Sequence, residues 1–134
     1  MRYDLDLISE LCLEIGLPAQ KSSDRCIEVE LGRGAVLLFE NAEQEDDCYI
    51  GFDGTPWHDH GNLMFVDAQK NWLELDYLAL LTGLKEGAVL ICEREIDGQT
   101  SDRWLIHSSC TVDLEYVQEG ERIIIRRATA QPKV

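Results

Sequence analysis

The chain has 134 residues, 45% of them apolar, and sets 26 Asp and Glu against 12 Lys and Arg for a formal net charge of −14. That length argues for one domain, and that apolar content for a buried core in place of disorder. A surface so acidic repels phosphate backbones and anionic headgroups, which argues against nucleic acid and membrane as partners and leaves a basic protein as the complementary one.

Met1-Arg2-Tyr3-Asp4 opens into an acidic amphipathic pattern rather than a signal peptide, and no apolar run reaches the roughly 18 residues of a spanning helix, so a cytoplasmic protein is expected. Leu5, Ile8, Leu11, Cys12 and Ile15 recur at helical spacing, and Gly16-Leu17-Pro18 is a stop signal. The spacing predicts a first helix, with Asp4 and Asp6 favoured by the dipole at its start. Residues 26–31 alternate strictly, Gly32-Arg33-Gly34 turns, and residues 35–39 are apolar, which predicts a hairpin. The acidic run at 43–47 makes another turn and residues 48–52 a third strand.

Residues 53–61, Asp-Gly-Thr-Pro-Trp-His-Asp-His-Gly, have no period and read as a loop. Asn71 stands three residues before Glu74 as a capping pair, and Trp72, Leu75, Leu78 and Leu81 form an apolar face, which predicts a second helix ending at Gly83 or Gly87. Residues 88–96, the Asp97-Gly98 turn and residues 103–107 predict a further hairpin. Residues 111–116 alternate again and turn at 118–121 into residues 122–127, giving three or four strands in this half. Residues 128–134 lack pattern and are expected to fray. The order predicts one α+β domain over residues 1–127, with a largely antiparallel sheet of six to seven strands and two helices on one face.

Candidate chemistry is sparse. Cys12, Cys26, Cys48, Cys92 and Cys110 are odd in number, widely spaced and mostly set among apolar neighbours, so they read as reduced core or near-core thiols. His58 and His60, beside Asp53 and Asp59, are of metal-ligating type, yet no third and fourth ligands follow at suitable spacing, and no metal is expected. The alternative roles for this loop are Trp57 packing on the sheet edge while a histidine bonds the turn backbone, or a partner contact with an aromatic anchor. An acidic field raises rather than lowers a thiol's pKa, Ser108-Ser109 beside His107 lacks a nucleophile's glycine-flanked turn, and no phosphate-binding glycine motif occurs. Neither an enzyme nor a cofactor is expected.

The charge is uneven. Residues 34–69 hold eight acids and no Lys or Arg, whereas Arg122, Arg126, Arg127 and Lys133 lie in the last 13 residues. The acids are expected to gather at one end of the sheet, so that Glu43, Glu45, Asp46, Asp47, Asp53, Trp57, His58, Asp59 and His60 are the candidate partner-binding residues: the carboxylates steer a basic protein and Trp57 anchors it.

The segment 53–60 after a strand, then a helix ending near Gly83 and Gly87, then Val89-Leu90-Ile91-Cys92 and an Asp-Gly hairpin, resembles small bacterial immunity proteins of Rhs and contact-dependent inhibition systems. The resemblance spans roughly residues 45–127. It implies stoichiometric neutralisation of a cognate toxin, often a nuclease, by an acidic protein that imitates the polyanionic substrate. The opening helix ending Gly16-Leu17-Pro18 and the first three strands are also similar to class I type III secretion chaperones, which implies a homodimer holding an effector's amino-terminal segment. Those chaperones usually end in a helix, whereas residues 122–127 here read as a strand.

Overall fold

A computed structural model describes residues 1–110 and 117–129. The first helix, α1 (Leu5–Ile15), forms as its spacing predicts: Asp4 caps it by accepting the Leu7 N–H, and Gly16 closes it. Leu5, Ile8 and Cys12 make its buried stripe. A meander of five antiparallel strands follows: β1 (Ala19–Ser23), β2 (Cys26–Glu30), β3 (Val36–Asn41), β4 (Cys48–Phe52) and β5 (His58–Asp59), hydrogen-bonded in that order. One face of this sheet, with Ile27, Val29, Leu37, Phe39 and Ile50, is buried, and α1 packs over its β1–β2 end.

β1 departs from expectation. Its sequence, Ala-Gln-Lys-Ser-Ser, has no apolar alternation, because an edge strand exposed along most of its length needs only backbone pairing with β2. The second helix also begins later than expected. Residues around Asn71 form a separate antiparallel ribbon of β6 (Leu63–Val66) and β7 (Trp72–Leu75). Its turn is organised by Asp67, whose carboxylate accepts from the Gln69 and Asn71 N–H groups. Asn71 and Glu74 are therefore no capping pair. The helix α2 (Tyr77–Glu86) starts one turn on, with Asp76 accepting the Ala79 N–H, and ends at Gly87 rather than Gly83. Trp72, Leu75 and Leu78 satisfy helical spacing by coincidence, since Leu73 and Leu75 are the ribbon's inward residues.

Among the described residues the last sheet has three strands, β8 (Val89–Ile96), β9 (Gln99–His107) and β10 (Glu121–Arg126), with β8 central. Asp97 and Gly98 both take positive φ in the two-residue turn joining β8 to β9, which is what a tight hairpin requires. The expected strand at 111–116 lies outside the described residues. The domain is thus α+β with antiparallel pairing, as expected, but its ten described strands form three sheets instead of one of six or seven. Leu80, Leu81 and Leu84 of α2, with Val89, Ile91 and Leu105, close a core shared by all three sheets and both helices.

Two devices lock the parts together. Tyr3 is buried against Phe39 and Tyr77, donates its hydroxyl to the Gly61 carbonyl at 2.8 Å, and exchanges two hydrogen bonds with the Asn41 side chain. Glu93, 6% exposed, accepts from Arg103 at 2.7 Å and from Arg126 at 2.6 Å. Arg126 also donates to the carbonyls of Leu31 and Gly32, which ties the three-stranded sheet to the β2–β3 hairpin. Burial opposes the charge on Glu93, but the two guanidinium groups outweigh it and hold its carboxyl below the ordinary range. Ala128 packs on the core and the Thr129 N–H donates to Leu31, so these two residues belong to the domain body. No helix among the described residues is long and apolar enough to cross a membrane.

Candidate functional site

The acidic turn at 43–47 is built on the amino terminus. Arg2 donates to the carbonyls of Ala42 and Glu45, and the Met1 ammonium donates to the Asp46 carbonyl and pairs with its carboxylate at 3.6 Å. Glu43, Glu45 and Asp46 are exposed, but two cations that are remote in sequence lie beneath them. Asp47 caps its own strand by accepting the Cys48 N–H and lies 3.3 Å from Nδ1 of His60; these two bonds hold its carboxyl below the usual range. The His60 ring meets Tyr49 edge-on at 4.7 Å and stands 5.8 Å from His58.

These residues form one cluster, and the remaining candidates do not all join it. Asp53 follows the far end of β4 and is separated from Asp47 by the strand's length, roughly 20 Å. Asp59 accepts the N–H of His60 and pairs with Ile50 on the edge strand β5. Trp57 is half-buried: its ring packs near Phe52 at 6.0 Å and its backbone N–H donates to the Asp102 carboxylate. His58 donates from Nδ1 to the Pro56 carbonyl at 3.2 Å. A packed tryptophan and a histidine bonded to the turn were one of the two roles foreseen for this loop. Among the described residues no three His, Cys, Asp or Glu side chains are arranged to hold a metal ion.

The outward face of the five-stranded sheet supplies what the loop alone lacks. In register, Gln20, Glu28, Leu38, Gly51 and His58 form one row across the five strands, and Cys26, Glu40 and Tyr49 the row beside it. Glu28 and Glu30 are separated by roughly 6–7 Å along β2. Glu28 and Glu40 are diagonal neighbours at roughly 7–8 Å. No ion pair neutralises any of the three among the described residues. Their field is legible in neighbouring groups. Burial first, and then Glu40 and Glu28, hold the Cys26 thiol above its ordinary value, while Asp47 followed by Glu45 and Glu40 raise the Tyr49 phenol.

Two hollows interrupt this face. One, of about 190 Å³, is lined by Leu38, Glu40, Tyr49, Pro56, Trp57 and His58. The other, of about 230 Å³, lies between Pro18, Gln20, Glu28 and Glu30. Gly51 shapes the first: a Cβ there would stand 2.8 Å from the Trp57 carbonyl, so only glycine lets Trp57 and His58 cross so close to β4. Aromatic rings beside an unpaired carboxylate suit a lysine or arginine side chain.

Sequence reasoning places the candidates in the turn and the loop and leaves out Glu28, Glu30, Leu38, Glu40 and Tyr49. The signal was present in the strict alternation of residues 26–31, which sets the glutamates opposite Ile27, Val29 and Leu31. The cysteines stand where expected: Cys12, Cys48 and Cys92 are buried and Cys26 and Cys110 half-buried. Burial pushes the Cys12 and Cys92 thiols up to about 11, which leaves them unreactive at neutral pH. His107 accepts at Nδ1 from the N–H and hydroxyl of Ser109, a local turn bond. No family model, curated protein or solved structure matches the chain.

Proposed function

We propose that this chain is a non-enzymatic cytoplasmic immunity protein that neutralises a cognate basic protein toxin, a nuclease in the leading case, by stoichiometric binding. The observation that carries the reading is the outward sheet face: Glu28, Glu30 and Glu40 have no ion pair among the described residues, and Glu40 lines an aromatic-walled hollow, on a chain of net charge −14. Like charges held this close weaken a sheet slightly, and a face that repels itself gains most by meeting cations. A basic cleft would lay its lysines and arginines along the two glutamate rows, one of them entering the hollow between Tyr49 and Trp57. The exposed turn carrying Glu43, Glu45 and Asp46 adds steering at the rim.

The strand over Glu121–Arg126 stands where the chaperone resemblance implies a helix, which favours the immunity reading over a homodimeric chaperone. The test is co-expression with any basic toxin domain that a neighbouring gene proves to encode. Growth is expected with the natural chain and is expected to fail with Trp57→Ala, since a central aromatic anchor is worth about 2 kcal/mol or more. Absence of protection by the natural chain would overturn the reading.

A further inference from the structure

The two helices lie side by side in the same sense. The Asp4 N–H, at the head of α1, donates to the Tyr77 hydroxyl at the head of α2, and Lys85 near the foot of α2 approaches Gly16 just beyond α1. Each helix commits its most apolar stripe to the core, α1 through Ile8 and Cys12 and α2 through Leu80, Leu81 and Leu84. Their remaining flanks meet in an open groove of about 430 Å³. Its floor is apolar, made by Leu7, Leu11 and Leu78, and its walls carry Glu10, Glu14 and Asp76, with no basic side chain among its lining residues.

Both properties are needed to name an occupant. A purely polar groove would be a solvated helix flank, but Leu7 is left 42% exposed in this one. A purely apolar groove would suit any greasy surface, but here carboxylates from both helices flank the leucines. A second copy of the chain fits poorly, because it would bring further carboxylates of a chain of net charge −14 against Glu10 and Glu14. The complement is a helix with leucine-like residues on one face and lysine or arginine on either side, seated as a third helix against the pair. We propose that the α1–α2 groove docks a basic amphipathic helix of a partner protein. The site lies on the helix side of the molecule, opposite the outward sheet face, and it stands whether or not the immunity reading does.

The experiment titrates the full chain into a fluorescent peptide of leucine and lysine arranged at helical period, and into an isomer with the same residues scrambled. The periodic peptide is expected to bind at least about tenfold more tightly than the scrambled one. Leu7→Glu is expected to weaken binding about tenfold although it makes the chain more acidic, and Glu10→Lys with Glu14→Lys at least as much. Leu13→Ala, at a fully solvated position outside the groove, is expected to leave affinity unchanged. Circular dichroism checks each variant, and Ala79→Glu, on an exposed position of α2 lining the groove, repeats the test if Leu7→Glu disturbs the fold. Amide shifts should fall on α1 and α2. Equal affinity for the two peptides, tighter binding by Leu7→Glu, or shifts confined to the outward sheet face would each overturn the proposal. A dimer of the free chain that Leu7→Glu dissociates would assign the groove to a second copy instead, and would overturn it too.

Discussion

Glu93 on β8 lies 6% exposed between the guanidinium groups of Arg103 and Arg126, whereas Glu40 on β3 faces solvent with no ion pair among the described residues. Both are strand glutamates that directly follow an apolar residue, Cys92 and Phe39. The difference lies in what opposes them across the sheet. Glu93 pairs in register with Arg103 and Ile124, and Arg126 on β10 reaches it from the same face, so three strands and the β2–β3 hairpin are held through one carboxylate. Glu40 has Cys26 on one side and Tyr49 on the other, and Glu28 as its diagonal neighbour. Charge in the three-stranded sheet belongs to the fold. Glu28, Glu30 and Glu40 on the outward face of the five-stranded sheet have no ion pair among the described residues, which is what the proposed docking face needs.

Substitutions can break this contrast, and the largest effect is expected at Glu93. Removing one member of a buried ion group leaves the others uncompensated, so Glu93→Ala is expected to lower stability by about 3–5 kcal/mol in urea unfolding. A loss near zero would show that the two arginines find water or other partners. The same group carries an acid dependence. Because the folded-state carboxyl is held below its ordinary value, its contribution is complete above the unfolded glutamate value of about 4.3 and is lost as pH falls from there through the lower folded-state value. Stability of the natural chain should therefore decline below about pH 4, and the Glu93→Ala chain should show a shallower decline there.

Tyr3 gives the uncharged intermediate case. Tyr3→Phe removes the hydroxyl bonded to the Gly61 carbonyl and is expected to lower stability by about 1–2 kcal/mol in the same unfolding measurement. The smallest effect on the fold is expected on the outward face. Glu28→Gln, Glu30→Gln and Glu40→Gln together should change stability by no more than about 0.5 kcal/mol, in either direction. A loss of several kcal/mol there would mean that these glutamates have fold partners after all, and the contrast with Glu93 would collapse.

Much of this architecture is legible in the sequence where a local signal is strong. The spacing and glycine stop of α1, the alternation of β2 and the Asp97-Gly98 hairpin each carry their own physical cause, and each forms as expected. The failures share another cause: the deciding contact is distant in sequence. β1 carries no pattern because its pairing with β2 is its whole reason to be a strand. The β6–β7 ribbon is hidden because Trp72, Leu75 and Leu78 fit a helical period while Leu73 and Leu75 fit the two-residue period of a strand, and only the turn made by Asp67 decides between them. For the candidate site, a charge map along the chain locates the acidic turn but cannot show Arg2 and the Met1 ammonium beneath it, since they are some forty residues away. Nor does it reveal that Glu28 and Glu30 share a face with Glu40 and Tyr49, which depends on strand register.

The central claim, that the outward sheet face is a docking surface and not part of the fold, is tested most directly by the rate at which a basic toxin domain that the chain protects against in co-expression associates with it as ionic strength is raised. The rate is expected to fall steeply with salt for the natural chain, and to be about tenfold lower at low salt and nearly insensitive to it once Glu28, Glu30 and Glu40 are replaced by Gln. A rate that ignores both the salt and the substitutions would contradict the account.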